Sequence, residues 1–296
     1  MNPTDAPWPQ IEAAIRAAAG SDFRIRDVRP VAGGCIHDAA SVAGGGERFF
    51  VKRNRADHAD LFAAEAAGLD ELRTGPALRI PAPVTHGTVG EQAFLVLEFV
   101  DLYPLTGEAM AVLGEALADL HGIVRDTYGW DRDNAIGATP QRNAPHGDWT
   151  EFWRENRLGY QLELAARREP ALARLGEPLV TGLAGLLAGH RPEASLLHGD
   201  LWAGNVAVDA DGRPVLFDPA VYFGDRETDL AMSELFGGFS PLFFEAYQGA
   251  WPLETGYREV RRDLYQLYHL LNHFNLFGGH YGHDARRCIE RLRAAL

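Results

Sequence analysis

Residues 198–218 of this 296-residue chain, HGDLWAGNVAVDADGRPVLFD, constrain the fold more than any other segment. Two short apolar runs, NVAV and PVLF, flank Asp211-Gly212, a dipeptide that indicates a β-hairpin turn. Asp200 and Asn205 precede or begin this hairpin, and Asp218 follows its second strand. The spacing therefore predicts a rigid hairpin that carries all three polar side chains.

The chemistry of these side chains fits phosphoryl transfer from ATP. Such transfer needs a carboxylate that orients or deprotonates the attacking hydroxyl, and oxygen ligands for Mg²⁺. We assign Asp200 as the catalytic base, and Asn205 and Asp218 as the metal ligands. Asp and Asn are also common in turns, where they cap backbone groups. The apolar run before Asp218 favours the metal site, because a carboxylate at the end of an apolar strand needs a strong partner.

Lys52 is the only lysine among 28 basic residues, since the other 27 are arginines. It ends the predicted strand FFVK, and Glu65 lies 13 residues later on the apolar face of a predicted helix. A carboxylate on such a face is costly unless it is paired. In kinases a strand lysine binds the α and β phosphates and is held by a helix glutamate. We predict this pair here, against the alternative of a surface lysine and a marginal glutamate.

Two further segments are candidate nucleotide contacts. The turn at Gly33, Gly34 and Cys35 precedes Lys52 by about 17 residues and could cover the phosphates with backbone N–H groups, although an ordinary turn would look the same. Backbone N–H groups of this loop and the nearby Lys52 would favour a thiolate at Cys35, which leads to the hypothesis that oxidation of Cys35 lowers activity. The alternative is a small buried filler. Backbone groups of Glu98 and Val100, at the end of an apolar strand, could bind adenine; a plain core strand would have the same sequence.

The pattern of apolar residues predicts an α+β protein with two lobes. A small β-rich lobe with a helix, residues 1–100, would bind the nucleotide, and a larger, mostly helical lobe, residues 101–296, would carry catalysis and substrate binding. The strands predicted in the first lobe are 23–31, 36–42, 47–52 and 93–100, and its helices are 10–19 and 58–73. The helices predicted in the second lobe are 107–123, 148–168, 171–189, 227–236, 240–250 and 258–277.

Residues that would contact the acceptor are predicted less directly. Trp202, two residues from the proposed base, could stack on a sugar, or could pack under the catalytic loop. His269 and His273 are four residues apart on one helix, a spacing that can bind a metal, but no third ligand is evident. We assign His273 to the border of the substrate site. The run from Asp225 to Asp229 is interpreted as a structural ion-pair network.

Charge and composition exclude other classes of function. The formal net charge is −13 and the pI is about 5.3, which argues against nucleic acid as a partner. Cys35 and Cys288 are too far apart in sequence to suggest a metal cluster or a disulfide framework. The N-terminus lacks a signal-peptide pattern, and no apolar run reaches the ~18 residues of a membrane helix. We therefore expect a cytoplasmic protein with no membrane partner.

Three stretches resemble the fructosamine kinase (ketosamine 3-kinase) family: HGDLWAGN, DPAVYFGDRETDLAMSELFGGF at 218–239 and LYHLLNHFNLFGG at 267–279. This family belongs to the aminoglycoside-phosphotransferase-like and protein-kinase-like enzymes. The resemblance implies a two-lobed protein-kinase-like fold, ATP and Mg²⁺ as cofactors, and phosphorylation of the sugar 3-hydroxyl of ketosamines such as ribulosamines or fructosamines. The phosphorylated adduct is unstable and releases the amine, so the implied role is deglycation.

The key residues Lys52, Glu65, Asp200, Asn205 and Asp218 fall on the matching family positions. The chain departs from the family at two points of the phosphate loop, where Ala32 and His37 replace the usual Gly and Ser. The sequence DPA at 218–220 replaces the protein-kinase DFG, so no Phe-driven switch is inferred.

Two alternative functions stay open. The chain could be another small-molecule kinase of the aminoglycoside or choline phosphotransferase class, or a non-catalytic nucleotide-binding module. The sequence also leaves open the preferred sugar, whether the partner is a small ketosamine or a glycated protein side chain, and whether the protein is a monomer or a homodimer.

Overall fold

The computed structural model describes residues 7–20, 22–31, 38–75 and 77–296. The proposed phosphate-loop residues Gly33, Gly34 and Cys35, with the family departures Ala32 and His37, lie outside the described residues. The hypotheses about them therefore stay predictions.

A five-stranded antiparallel sheet and two helices form the N-terminal part of the molecule. In chain order the elements are α1 (Trp8–Ala19), β1 (Asp27–Pro30), β2 (Asp38–Gly44), β3 (Glu47–Arg55), α2 (Ala59–Leu72), β4 (Pro83–Val89) and β5 (Gln92–Glu98), with a 3₁₀ turn, Ala56–His58, before α2. The strand order is β1-β2-β3-β5-β4, which places β3 at the centre. The strand predicted to end at Lys52 continues to Arg55, and β1 is shorter than the predicted strand 23–31.

The alternation of side chains along β3 decides where Lys52 points. Phe49 and Val51 pack with Ile11 and Ile15 of α1 in a small hydrophobic cluster on one face of the sheet. Because successive residues of a strand face opposite sides, Lys52 is on the other face, where α2 lies. The Cα partners of Lys52 are Ala39 on β2 and Leu95 on β5.

The rest of the chain is mainly helical. Its helices are α3 (Gly107–His121), α4 (Trp149–Trp153), α5 (Gly159–Arg168), α6 (Pro170–Leu186), α7 (Glu227–Leu235), α8 (Pro241–Ala250), α9 (Arg262–Phe277) and α10 (His280–Arg293). Short strands lie between them: β6 (Val124–Arg125), β7 (Asn134–Ile136), β8 (Thr139–Gln141), β9 (Ala194–Leu197), β10 (Val206–Val208), β11 (Pro214–Leu216) and β12 (Tyr222–Gly224). The pairs β7-β8 and β10-β11 are hairpins, and β12, β9 and β6 form a small sheet.

Most predicted helices are confirmed within a few residues, with one structural interruption. The helix predicted over 148–168 is divided by a π-helical turn, Arg154–Leu158, and a second π turn, Tyr257–Arg261, precedes α9. Four parts of the fold were not predicted from the sequence: β4, the strands between 124 and 141, β12 and α10. The strands between 124 and 141 have only two or three residues, too few to show a periodic pattern.

One large hydrophobic core joins the α2 side of the sheet to the helical part. Phe62 and Leu69 of α2 and Leu95 of β5 belong to the same cluster as Leu117 of α3 and Leu230 of α7. Within the described ranges, none of the helices has the length and apolar character needed to cross a bilayer.

Candidate active site

The predicted hairpin brings Asp200, Asn205 and Asp218 together. Strands β10 and β11 pair with Val206 opposite Leu216, and the amide of Phe217 donates to the carbonyl of Asn205 over 3.2 Å. The side-chain nitrogen of Asn205 donates to the backbone carbonyl of Asp200 (2.9 Å), to Asp200 Oδ2 (3.3 Å) and to the carbonyl of Asp218 (3.4 Å). A single amide therefore ties the loop before the hairpin to its end.

His198 and Asp229 fix the backbone of the loop before the hairpin. His198 Nε2 donates to the carbonyl of Phe217 (3.0 Å), and its Nδ1 accepts from the amide of Asp200 (3.3 Å). Burial lowers the pKa of His198, so the ring is neutral, as this pair of hydrogen bonds requires. The Asp229 carboxylate accepts from the amides of His198 (2.7 Å) and Gly199 (2.8 Å). The loop at residues 198–200 is thus fixed by one buried carboxylate on α7.

Gly199 is required where this loop meets the segment after Asp218. Its φ is +81°, and a Cβ on it would lie 2.0 Å from the carbonyl oxygen of Ala220. The amide of Ala220 donates to the carbonyl of His198 over 2.9 Å. Only glycine allows the two backbones to approach this closely in a left-handed conformation.

The predicted Lys52–Glu65 pair is confirmed as a contact. Lys52 Nζ lies 2.6 Å from Glu65 Oε1, and also 2.5 Å from Asp218 Oδ1, a contact that the sequence did not predict. The lysine side chain is 9% exposed. Burial lowers the pKa of Lys52, but the charges of Glu65 and Asp218 raise it by more. The pKa therefore lies above its ordinary value, and the amine is charged. Lys52 thus links α2 to the proposed metal ligand.

Asp200 has the electrostatics of a base and the surroundings of a cation site. Burial, and then the nearby charge of Asp218, raise the pKa of Asp200 to about 7. Among the described residues none donates a hydrogen bond to Asn205 Oδ1, which leaves this oxygen available as a ligand. The carboxylate of Asp218 and the amide oxygen of Asn205 match the hard oxygen ligands that Mg²⁺ prefers. The donor set therefore fits Mg²⁺.

The proposed adenine contacts lie at the end of β5. The amide of Glu98 donates to the carbonyl of Ala82 (2.8 Å), and its carboxylate pairs with Arg79. Its N–H is therefore committed within the protein, which removes that group as a donor to adenine. Val100 lies in the segment between β5 and α3. A role for the carbonyl of Glu98 and the backbone of Val100 stays a prediction.

Trp202 lies at the surface beside Asp200. The residue is 39% exposed, and its indole covers Gly204, where an added Cβ would fall 2.2 Å from the ring. An exposed indole two residues along the chain from the proposed base is consistent with stacking on an acceptor, which stays a prediction.

His273 belongs to a group of aromatic rings at the end of α9. Its Nδ1 donates to the carbonyl of His269 (2.9 Å), and its ring lies 4.8 Å from Phe236, 5.0 Å from Tyr281 and 5.8 Å from Phe277 between centroids. His269 is buried, which lowers its pKa to about 3. Among the described residues these two histidines share no third metal-ligand side chain. A border role for His273 stays a prediction.

The run from Asp225 to Asp229 forms the predicted structural network. Asp225 Oδ2 accepts from Tyr265 (2.5 Å) and from His190 Nε2 (2.7 Å), and Glu227 forms a two-point ion pair with Arg261 (2.6 and 2.8 Å). His190, Asp225 and Glu227 lie close enough to hold a metal, but protein partners already occupy their ligand atoms. The network joins α7, α9 and the loop before β9.

We expect His190→Gln to remove a pH-dependent part of the stability. Burial lowers the pKa of His190, but the bond to Asp225 outweighs it and holds the pKa above the ordinary value. The folded state then binds the proton more tightly, so this stabilisation is complete below about pH 6.5 and is lost as pH rises through the folded pKa. In urea denaturation, the difference in free energy of unfolding between wild type and His190→Gln should be largest near pH 6 and decrease towards pH 9. A gap that is constant with pH would contradict this assignment.

Several residues that shape the site were missed from the sequence. His121 on α3 lies 3.3 Å from the Asp229 carboxylate, and Asn134 and Gln141 contact the backbone just after Asp218. Asp229 was predicted only as part of the structural network. Its place in the otherwise apolar run DLAM was a usable signal for its further bonds to the loop at 198–200, because buried carboxylates need donors. No sequence signal pointed to Asn134 and Gln141, since their backbone partners are 87 and 79 residues away.

Comparison with known proteins places this geometry in a family. The fructosamine kinase family model matches residues 7–295. A probable ketoamine kinase of Synechocystis is 42% identical over 292 residues, covering 97% of each chain. The chloroplastic protein-ribulosamine 3-kinase of Arabidopsis thaliana is 40% identical over 276 residues, which cover 92% of this chain and 84% of the relative.

Solved structures agree with the fold. A putative fructosamine-3-kinase from Haemophilus somnus superposes with a TM-score of 0.88 at 30% identity, covering 96% of this chain and 97% of the other. An aminoglycoside phosphotransferase solved with ADP and hygromycin B superposes with a TM-score of 0.59 at 18% identity, covering 97% of each chain. The second likeness shows the fold alone. Together they confirm the predicted protein-kinase-like fold.

Proposed function

The chain belongs to the fructosamine kinase family, and from this premise we propose that it transfers the γ-phosphoryl group of ATP to the 3-hydroxyl of a ketosamine. Ribulosamines and fructosamines, free or on a protein side chain, are the proposed acceptors. The observation that carries the proposal is the convergence of Asp200, Asn205 and Asp218 with the Lys52–Glu65 pair. The outcome of the reaction would be release of the amine.

The proposed mechanism relies on positioning and charge rather than on covalent chemistry. Asp200 accepts the proton of the attacking hydroxyl. Its pKa of about 7 suits this role, because a general base works best when its pKa is close to the working pH. The amide of Asn205 orients the carboxylate by donating to Oδ2.

Lys52 and the two metal ligands serve the nucleotide. Glu65 holds the Lys52 ammonium in place for the phosphates. Asp218 and Asn205 would hold Mg²⁺, which when bound neutralises charge that develops on the phosphates. Because Lys52 is buried, solvent screens its charge only weakly.

A coupled assay of ADP release tests the proposal directly. Ribulose-lysine and fructose-lysine are offered with Mg·ATP, with an aminoglycoside and choline as competing classes of acceptor and with no acceptor as the control. We expect turnover on a ketosamine, followed by release of free lysine. Turnover only on an aminoglycoside or choline would favour another small-molecule kinase, and Mg·ATP binding with no turnover on any acceptor would favour a non-catalytic module.

A further inference from the structure

The β7–β8 hairpin is hydrogen-bonded to the segment that follows Asp218. Asn134 Nδ2 donates to the carbonyl of Val221 over 2.8 Å, and Gln141 Nε2 donates to the carbonyl of Ala220 over 3.0 Å. The two side chains are 7% and 2% exposed. Two buried amides thus fix consecutive carbonyls that lie two and three residues beyond the proposed metal ligand.

The amides are themselves held by a buried network. Asn134 Oδ1 accepts from Gln141 (2.9 Å) and from Asn143 (2.8 Å), and Gln141 Oε1 accepts from the hydroxyl of Tyr268 on α9 (2.6 Å). Arg157 on the first π turn donates to Asn143 Oδ1 over 2.8 Å. Each amide therefore has one permitted orientation, which anchors the hairpin to α9 and to the π turn.

The backbone of Asp218 needs such support. Its φ is +55°, and it is the one non-glycine with positive φ among the described residues. A left-handed conformation costs most L-residues about 1 kcal/mol or more, and Asp and Asn less, so at Asp218 modest neighbouring contacts can hold it. Those contacts are the bond from the Ala220 amide to His198, and the two carbonyl bonds to Gln141 and Asn134.

Residues 124–143, which include the β7–β8 hairpin, also bind α2. Glu71, near the end of α2, accepts from Arg125 (3.1 Å) and from the indole of Trp130 (3.2 Å). At Gly68 an added Cβ would lie 3.2 Å from Val221, so α2 packs directly on the segment after Asp218. Residues 124–143 thus contact both elements that present carboxylates to Lys52.

We propose that Asn134 and Gln141 are positioning residues for Asp218, which orient its carboxylate for the metal-bound nucleotide by fixing the carbonyls of Ala220 and Val221. The inference rests on the proposed function, because it assigns Asp218 to Mg²⁺. The sequence DPA at 218–220 replaces the protein-kinase DFG, and the two amides bind the carbonyl of its last residue and of the residue after it. Loss of either amide leaves the nucleotide pocket in place but releases the metal ligand.

The test compares nucleotide affinity with and without Mg²⁺. ADP binding to the full-length protein is measured by calorimetry, in magnesium and in EDTA, for wild type, Asn134→Leu and Gln141→Met. We expect Mg²⁺ to strengthen binding in the wild type and each variant to lose about 10-fold to 100-fold of that gain, the range typical of residues that orient metal ligands. Affinity for ADP in EDTA should stay close to that of the wild type, since neither variant changes a residue that we propose to contact the nucleotide.

Two further variants separate positioning from general destabilisation. Gln266→Met is the matched control, because Gln266 on α9 likewise donates to a backbone carbonyl, that of Ala231, over 3.0 Å. Gln266→Met should keep the full increase in ADP affinity that Mg²⁺ gives, even if its melting temperature is lower than that of the wild type. Tyr268→Phe removes only the hydroxyl that holds Gln141, so it should show a smaller loss in the same direction, and it decides the question if the amide variants do not fold.

The outcomes are distinct. Retention of the wild-type Mg²⁺ gain in the amide variants, or in Tyr268→Phe if they fail to fold, would overturn the inference and leave the proposed function intact. An equal loss in Gln266→Met would also overturn it. A wild type that binds ADP no better in Mg²⁺ than in EDTA would overturn both the inference and the metal site of the proposed function.

Discussion

Asp200→Asn should lower kcat on the ketosamine substrate by about 10²-fold to 10⁴-fold, the range for loss of a general base. An amide cannot accept the proton of the attacking hydroxyl. The fold should survive, because the raised pKa of Asp200 means that its ionisation at pH 8 costs the folded state stability, and the neutral amide removes that cost. The measurement is kcat at saturating substrates together with the free energy of unfolding at pH 8.

Asp209→Asn is the matched control for this result. Asp209 lies on the same hairpin and is also buried, but both its carboxylate oxygens are bonded within the turn. One accepts from the amides of Asp211 (3.0 Å) and Arg213 (2.9 Å), and the other from the Arg213 side chain (2.9 Å). It should lose some stability and keep kcat. Near-wild-type turnover in Asp200→Asn would remove Asp200 from the mechanism.

Lys52→Met should weaken both ATP binding and the fold. Loss of a charged contact to the phosphates is worth about 1.5–3 kcal/mol, so KM for ATP should rise by about 10-fold to 100-fold. Removal of the ammonium also leaves Glu65 buried without its cation, which costs up to about 3–5 kcal/mol. Asp218 adds less to this cost because its side chain is 47% exposed.

A double variant separates the two effects of Lys52. Lys52→Met with Glu65→Gln removes the pair together, so it should regain much of the lost stability while KM for ATP stays high. Lys52→Arg keeps the charge but replaces a compact ammonium with a planar fork that does not fit between two carboxylates 2.6 and 2.5 Å away, so it too should raise KM. Recovery of normal KM in the double variant would show that Lys52 has no role at the phosphates.

The chemistry of Lys52 also allows a labelling test, because the chain has no other lysine. An amine-directed reagent can modify only Lys52 or the N-terminal amine. Protection by Mg·ATP that is absent in Lys52→Met would report contact between the nucleotide and this one side chain.

Features that depend on neighbours in the sequence could be predicted. The DG turn fixed the hairpin register, so Asp200, Asn205 and Asp218 came together as expected. The helical pattern of α2 placed Glu65 on its apolar face and the end of an apolar strand placed Lys52, because such patterns are local properties. Their pairing was predicted from the lysine–glutamate arrangement of kinases. Helix bounds failed mainly where a π turn interrupted the pattern, as between α4 and α5.

By itself the sequence predicted most of the helices, the central hairpin and the residues that we propose for the phosphate and metal chemistry. Only the tertiary structure decided that Lys52 also binds Asp218, 166 residues away, that Asp229 holds the loop at residues 198–200, and that Asn134 and Gln141 fix the backbone after Asp218. The physical reason is the range of the interactions. Periodicity and turn preference act over a few residues, whereas a side-chain hydrogen bond to a distant backbone group exists only after packing has brought the two elements within about 3 Å.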